Sequence, residues 1–380
     1  MNDLENFKAI LDQYFGAGSA RFDTRTGVTN KIIGALNRTN FAKFRTSFLS
    51  KFRRLAARYP AGNANRTPLV DRLNEMASES KWDGVYAEMV TFDYLNSDRD
   101  WLTAPIELSR TVPAANTLAG ALGGQNTNYD GFYTDFDVSF DVKVLGDKSR
   151  DILNGLIAEA KTALGLTNVE ITPEYPLDMD FLPFQQNRRA LLAELQAALN
   201  PTTKPATLRS AVLQQLNYRL LWGAGVLTSV STYDPFLHAA NHHRLLFKYA
   251  KKFSRTQPTL IVSVLFPWFS ETATTNPWSN EAFFRSFCRR FFCEYANDTN
   301  PASTLLPSYQ GNETLAQVTR SLAGVLFLED NSITAPNPLV HNIKAFAYLN
   351  PNATHKISGH FREHLSALGF LIDDFQHDNY

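Results

Sequence analysis

From Phe136 the chain alternates. Phe136, Val138, Phe140, Val142 and Val144 fall on one side of an extended backbone, and Asp137, Ser139, Asp141 and Lys143 on the other. This predicts a strand with one buried face. Residues 82–95, WDGVYAEMVTFDYL, follow a different period, with Trp82, Val85, Tyr86, Met89, Phe92 and Leu95 at helical spacing. Phe41, Phe44, Phe48, Leu55 and Tyr59 give the same signature upstream, in a helix broken by Pro-Ala-Gly-Asn-Ala-Asn at 60–65.

Downstream of Lys143 the pattern predicts three helices, SRDILNGLIAEAKTALG, RRALLAELQAALN and LRSAVLQQLNYRLL, separated by proline-bearing links at 173–183 and 201–205. A helix over 237–253 then runs into Pro258 and the continuous apolar run TLIVSVLF, which suits a buried strand. NEAFFRSFCRRFFCEYA is a very aromatic helix, AGVLFLED and IKAFAYLN read as extensions of the sheet or as a continuing second layer, and GHFREHLSALGFLIDDF is expected to close the chain as a helix. The stretch 111–127, with its small-residue run TLAGALGGQNTN, reads as a flexible connection, because no Gly-Lys-Ser/Thr follows its glycines.

At 380 residues the chain has room for two domains or for one with large insertions. The expected division is a basic helical region at 1–72, an α/β core at 73–350 with a helical insertion at about 150–232, and a C-terminal helix at 351–380. No apolar run is long enough to span a membrane, and the acidic start MNDLENFKAILDQYF lacks the apolar region of a secretory signal, so a cytoplasmic location is expected. Cys288 and Cys293 are read as reduced thiols beside a core.

Net charge is zero but unevenly spread, with 13 Lys+Arg against 5 Asp+Glu from Met1 to Arg72. No acidic residue lies between Lys31 and Arg58, and Lys43, Lys51, Arg54 and Arg58 share one side of the predicted helix. That side is a candidate for phosphate contact, weighed against an ordinary solvated basic face.

The candidate chemistry lies on the alternating strand and just before it. Asp141 and Lys143, two residues apart, project from the same face, and a hairpin through the Tyr-Asp-Gly of 129–131 brings Asp130 alongside. On the helix at 82–95, Glu88 falls at the edge of the apolar stripe, where a carboxylate needs a partner or a metal. The plain reading of Asp141 and Lys143 is a same-face ion pair on an exposed sheet.

Asp130, ten intervening residues, then Asp141-Val142-Lys143, with Glu88 on a preceding helix, resembles the signature of the PD-(D/E)XK phosphodiesterase superfamily, the restriction-endonuclease-like nucleases. The motif covers roughly residues 80–146, and the order of elements extends the likeness loosely to about residue 350. The resemblance implies a mixed central sheet flanked by helices and an Mg²⁺-dependent endonuclease, with Mn²⁺ as a substitute, acting on double-stranded DNA in restriction, defence, repair or mobile-element biology. It implies Asp130, Asp141 and the Val142 carbonyl as metal ligands, Glu88 as a supporting ligand or water-orienting group, and Lys143 as the residue that steadies developing charge. Arg244 and Lys248, on the helix before the buried strand, become candidate phosphate contacts, and a homodimer is the implied oligomer.

Two features depart from the pattern: no proline precedes Asp130, and Asp135 or Asp137 stand open as the first carboxylate. The competing functions are a catalytically inactive nucleic-acid-binding or assembly protein on the same fold, and a phosphotransfer enzyme, for which the phosphate loop is lacking. His360 to His364 spells H-x-x-E-H, and a zinc reading is rejected because too little chain follows to supply a third ligand.

Overall fold

The computed structural model of the chain describes residues 2–25, 30–98, 100–145, 148–175, 182–223, 234–266, 277–333, 336–376 and 378. Helices α1 (Asp3–Phe15), α2 (Lys31–Asn37), α3 (Ala42–Arg58), α4 (Arg66–Asn74) and α5 (Trp82–Leu95) come first. The starts of the first two are fixed by side chains. Asn2 forms a reciprocal capping box with Glu5, and Asn30 accepts the Ile33 N–H at 3.1 Å. Phe44, Phe48, Phe52, Leu55 and Tyr59 of α3 are buried, with Phe48 stacked on Phe52 and parallel to Tyr86 of α5. Helix α5 is buried on nearly every side, its polar residues Asp83, Glu88 and Asp93 included, because its apolar residues share one core with the N-terminal helices and the main sheet.

Strands β1 (Glu107–Pro113), β2 (Asn126–Tyr133) and β3 (Val138–Val144) form an antiparallel meander. Next come α6 (Lys148–Ala163), β4 (Val169–Glu174), α7 (Leu182–Gln186), α8 (Arg188–Ala198), β5 (Thr207–Arg209) and β6 (Asn217–Trp222). Helix α9 (Pro235–His242) continues as a 3-10 helix, His243–Lys252, that leads into β7 (Thr259–Leu265). The chain finishes with α10 (Pro277–Arg289), α11 (Leu315–Arg320), β8 (Gly324–Asp330), β9 (Ile343–Leu349), α12 (Gly359–Ala367) and β10 (Leu371–Asp373).

The protein is α/β. Its main sheet is mixed, in the order β1-β2-β3-β7-β8-β9-β10. β7 runs parallel to both β3 and β8, and it is buried along its whole length, as its unbroken apolar sequence requires. Val138, Phe140 and Val142 face the layer that holds α5, while Ile261, Leu265, Val325 and Phe327 face a second layer with Leu246, Phe247, Phe253 and the aromatic side chains of α10. Among the described residues no helix is long and apolar enough to cross a membrane, and both cysteines are free thiols.

Several expectations are corrected. The insertion is only partly helical: α6 and α8 form where helices were expected, but β4, β6 and β5 make a separate three-stranded antiparallel sheet that packs with them around its own core of Leu153, Leu156, Leu191, Leu195, Tyr218 and Leu220. Residues 176–181 and 224–233 of the expected insertion lie outside the described residues. LRSAVLQQLNYRLL, expected as a helix, holds β5, a turn and β6, because Leu216, Tyr218 and Leu220 bury alternately and strand pairing overrides the helix preference of leucine. Of the presumed connection at 111–127, the first three residues end β1, short 3-10 turns follow, and from Asn126 it is already β2. At the C-terminus α12 stops before Gly369, whose φ of 88° is left-handed, and the tail pairs as β10 instead of continuing as helix.

Candidate active site

Asp130 does not lie in a turn. Tyr129, Asp130 and Gly131 are inside β2, and Gly131 is required because the Phe140 ring lies where a Cβ would stand. The β2–β3 ladder pairs Tyr133 with Val138, Phe132 with Ser139 and Gly131 with Phe140. The same register carried one step on sets Asp130 opposite Asp141, with both side chains on one face. There the strands part, and Asp130 Oδ2 accepts the Val142 N–H at 2.7 Å in place of a main-chain carbonyl.

The other edge of β3 faces β7, bonding through odd-numbered residues: Ser139 N–H donates to Pro258 O and Leu145 N–H to Val264 O. Within a strand, N–H and C=O of one residue point the same way. Val142, whose N–H reaches Asp130, therefore aims its carbonyl into the opening between β2 and β3 as well.

Asp141 is fully buried, and two ammonium groups hold it. Lys143 Nζ pairs with Oδ2, and Lys252 Nζ, from the last turn of the 3-10 helix, pairs with Oδ1 at 2.6 Å. Lys252 also donates to the Asn128 carbonyl of β2, and its own carbonyl accepts the Tyr129 hydroxyl at 2.8 Å. Lys143 Nζ lies 5.3 Å from the centre of the Tyr249 ring, one helical turn before Lys252. Burial opposes the charge on Lys143, but the Asp141 and Asp130 carboxylates outweigh it and hold the ammonium above its usual range.

Glu88 is buried and clamped by Arg72 of α4. Arg72 Nε donates to Glu88 Oε2 at 2.6 Å, a second guanidinium nitrogen takes Oε1, and the same arginine bonds Glu75. The structure thus pairs Glu88 with Arg72 rather than aiming it as a third ligand. Glu88 remains close enough to feel Asp141 and Lys143, and burial, only partly offset by Arg72, raises its pKa. Asp130 is pushed up to about 8, first by desolvation and then by the neighbouring Asp141 and Glu88 carboxylates. Asp130, Asp141 and Lys143 are thus neighbours, and Glu88 acts on them through its charge while its oxygens are engaged by Arg72.

Asp135 and Asp137 lie in the turn at the far end of the hairpin. Asp135 accepts the Thr103 N–H at 2.9 Å, and Asp137 is exposed with a left-handed φ of 55°. Neither joins the carboxylate cluster, which leaves Asp130 as the partner of Asp141.

The expected basic face of α3 is corrected. Lys51 is buried, donating to Ser47 Oγ at 2.8 Å and Ser332 Oγ at 2.7 Å beside Asp330. Arg54 makes a two-pronged pair with Asp93, at 2.8 and 2.7 Å, and Arg58 bonds the Ala104 carbonyl at 3.1 Å. These three tie α3 to the body of the protein, because a helix packed between neighbours has no wholly solvated side. Lys43 alone of that set is exposed. Arg244 and Lys248 are exposed on the 3-10 helix, Arg244 donating to the Tyr295 hydroxyl at 3.1 Å.

Sequence reasoning missed Arg72 and Lys252. Lys252 stood on the same helical side as Arg244 and Lys248, and its position in the last turn before the strand adjoining β3 was the available signal. Arg72 carried none, since its partner lies 16 residues away on another helix.

Among the described residues, no three His, Cys, Asp or Glu side chains stand together as a metal-binding group. A magnesium ion asks for less, usually one or two carboxylates, with water and substrate phosphate completing its shell. Two facing carboxylates and an inward carbonyl, all hard oxygens, fit that need. His364 of the H-x-x-E-H run is buried against Tyr133, Phe136 and Phe361, while His360 is exposed.

The sheet and the opening between β2 and β3 define an α/β protein with a carboxylate–lysine centre. No protein-family model matches the chain, and neither a curated protein nor a solved structure matches it significantly.

Proposed function

We propose that the protein is a divalent-metal-dependent nuclease of the restriction-endonuclease-like kind, an endonuclease hydrolysing phosphodiester bonds in double-stranded DNA. The observation that carries this reading is the pair Asp130 and Asp141 where β2 and β3 part, with Lys143 next to Asp141 on the same face. The order of elements supports it: a helix bearing Glu88, a three-strand meander bearing the carboxylates and lysine, then a helix and a strand parallel to β3.

Asp130, Asp141 and the Val142 carbonyl would hold Mg²⁺ or Mn²⁺, which when bound supplies Lewis-acid stabilisation of the phosphoryl oxygens and a more acidic water at neutral pH. Lys143 places a fixed positive charge beside the scissile phosphate and stabilises the charge that builds there. Arg72 neutralises the buried Glu88, so that its carboxylate stands near the centre without leaving a bare charge buried. Lys43, Arg244 and Lys248 remain the candidate phosphate contacts.

A nucleic-acid-binding or assembly protein is the second reading, favoured by the fact that Asp141 and Glu88 already have basic partners. The test is incubation of the purified protein with supercoiled plasmid, linear duplex, single-stranded DNA and RNA, each with Mg²⁺, Mn²⁺ or EDTA, beside Asp141→Asn. Metal-dependent cleavage lost in the variant supports the nuclease. Cleavage that persists in Asp141→Asn removes the proposed site, and neither cleavage nor Asp141-dependent Mn²⁺ binding leaves the binding reading.

A further inference from the structure

Lys252 stands in a place that neither strand pairing nor core packing demands. Its stem leaves the end of the 3-10 helix, and its ammonium bridges the Asp141 carboxylate and the Asn128 carbonyl across the mouth of the β2–β3 opening. Its backbone is pinned separately by the Tyr129 hydroxyl at 2.8 Å, so the ammonium can leave without moving the helix. The side chain is 15% exposed, whereas Asp141 is wholly buried.

A buried carboxylate needs a cation. With Lys143 on one oxygen and Lys252 on the other, the charge of Asp141 is compensated without any metal. Glu88 is likewise held by Arg72, so in the resting site neither Glu88 nor Asp141 is left as a bare carboxylate for a divalent ion. A cation that binds Asp141 Oδ1 must displace the ammonium of Lys252. The released ammonium then needs an anion, and a nucleic-acid phosphate at the mouth of the opening is of the right kind.

We infer that Lys252 is an internal counter-ion that occupies Asp141 in the resting protein and passes to a substrate phosphate when the divalent cation enters, so that metal and nucleic acid bind cooperatively. This rests on the metal centre proposed above. It makes Lys252 a positioning residue with two alternative partners, and by linkage whatever draws the lysine away strengthens cation binding to the same degree as the cation strengthens phosphate binding.

The test follows Mn²⁺ binding through loss of the free-ion electron paramagnetic resonance signal, in the absence of nucleic acid. The proteins compared are wild type, Lys252→Met, Asp141→Asn and the double variant. Lys252→Met should bind Mn²⁺ about tenfold or more tightly than wild type, the scale of one charge-assisted pair, and Asp141→Asn should abolish binding in either background. Equal or weaker affinity in Lys252→Met, with binding still lost in Asp141→Asn, would overturn the counter-ion role and leave the metal centre standing. Mn²⁺ binding indifferent to Asp141 would remove the centre itself, and the role with it.

Should Lys252→Met fail to fold, the wild-type protein answers the same question through amine-reactive labelling of Lys252 read by mass spectrometry. Labelling should rise severalfold at a Mn²⁺ concentration where the resonance signal shows the ion bound. Unchanged labelling there would overturn the inference.

Discussion

The carboxylate of Asp130 takes the place of a strand carbonyl, accepting the Val142 N–H at 2.7 Å where β2 and β3 separate. One side chain thereby closes the hydrogen-bond ladder and lines the opening beside Asp141. The two duties can be separated. Asp130→Asn keeps an acceptor for Val142 and should change stability by less than about 1 kcal/mol, whereas Asp130→Ala strands that N–H and should cost roughly 1–3 kcal/mol. Both should lose Mn²⁺ binding; denaturant titration beside metal titration checks the pair.

Lys143 is expected to matter for turnover more than for folding, because Asp141 retains Lys252 when Lys143 is shortened. Lys143→Met should lower cleavage by about a hundredfold or more while leaving Mn²⁺ bound. Single-turnover rates at saturating Mn²⁺ measure this.

Arg72→Met leaves the Glu88 carboxylate buried without its cation and should destabilise the fold by roughly 3–5 kcal/mol. Adding Glu88→Gln should restore much of that, since the uncompensated charge is gone. A double-mutant cycle in urea reads the coupling directly.

On α3 the buried and exposed lysines should behave oppositely. Lys51→Ala abandons Asp330 and two serine hydroxyls in the core and should cost roughly 3–5 kcal/mol, while exposed Lys43→Ala should stay within about 0.5 kcal/mol. Thermal and urea unfolding of both variants compare them.

His364 is buried among aromatic rings, and desolvation lowers its pKa from 6.5 to about 4. The unfolded chain takes up a proton at higher pH than the folded one, so the neutral ring stabilises the fold above pH 6.5. That contribution is lost as pH falls from about 6.5 toward 4, where unfolding is driven by roughly 2–3 kcal/mol. His364→Phe should flatten the pH dependence of stability within that window. Urea midpoints at pH 7, 5.5 and 4.5 test this.

Strands β3, β7, β8 and β9 were legible because each is a short run whose period or continuous apolarity matches how deeply it is buried. The weaker β1, β5, β6 and β10 were not. Each is paired by a neighbour distant in sequence or by a turn that the local pattern does not announce, and two of them are only three residues long. Reading α3 as half solvated failed for a related reason: periodicity marks the apolar side of a helix but not what covers the polar one.

The sequence by itself determined the local faces and the order of the charged groups of the candidate site. Asp141 and Lys143 share a face because strand geometry alternates, and Glu88 and Asp130 precede them on elements whose periods are set locally. Tertiary structure alone decided the pairings: Arg72 with Glu88, Lys252 with Asp141, Lys51 with Asp330, and the insertion's sheet in place of its third helix. A side chain's direction is fixed by its own backbone, but the free energy of a buried charge depends on groups brought to it from elsewhere in the chain. That contribution has no local period to read.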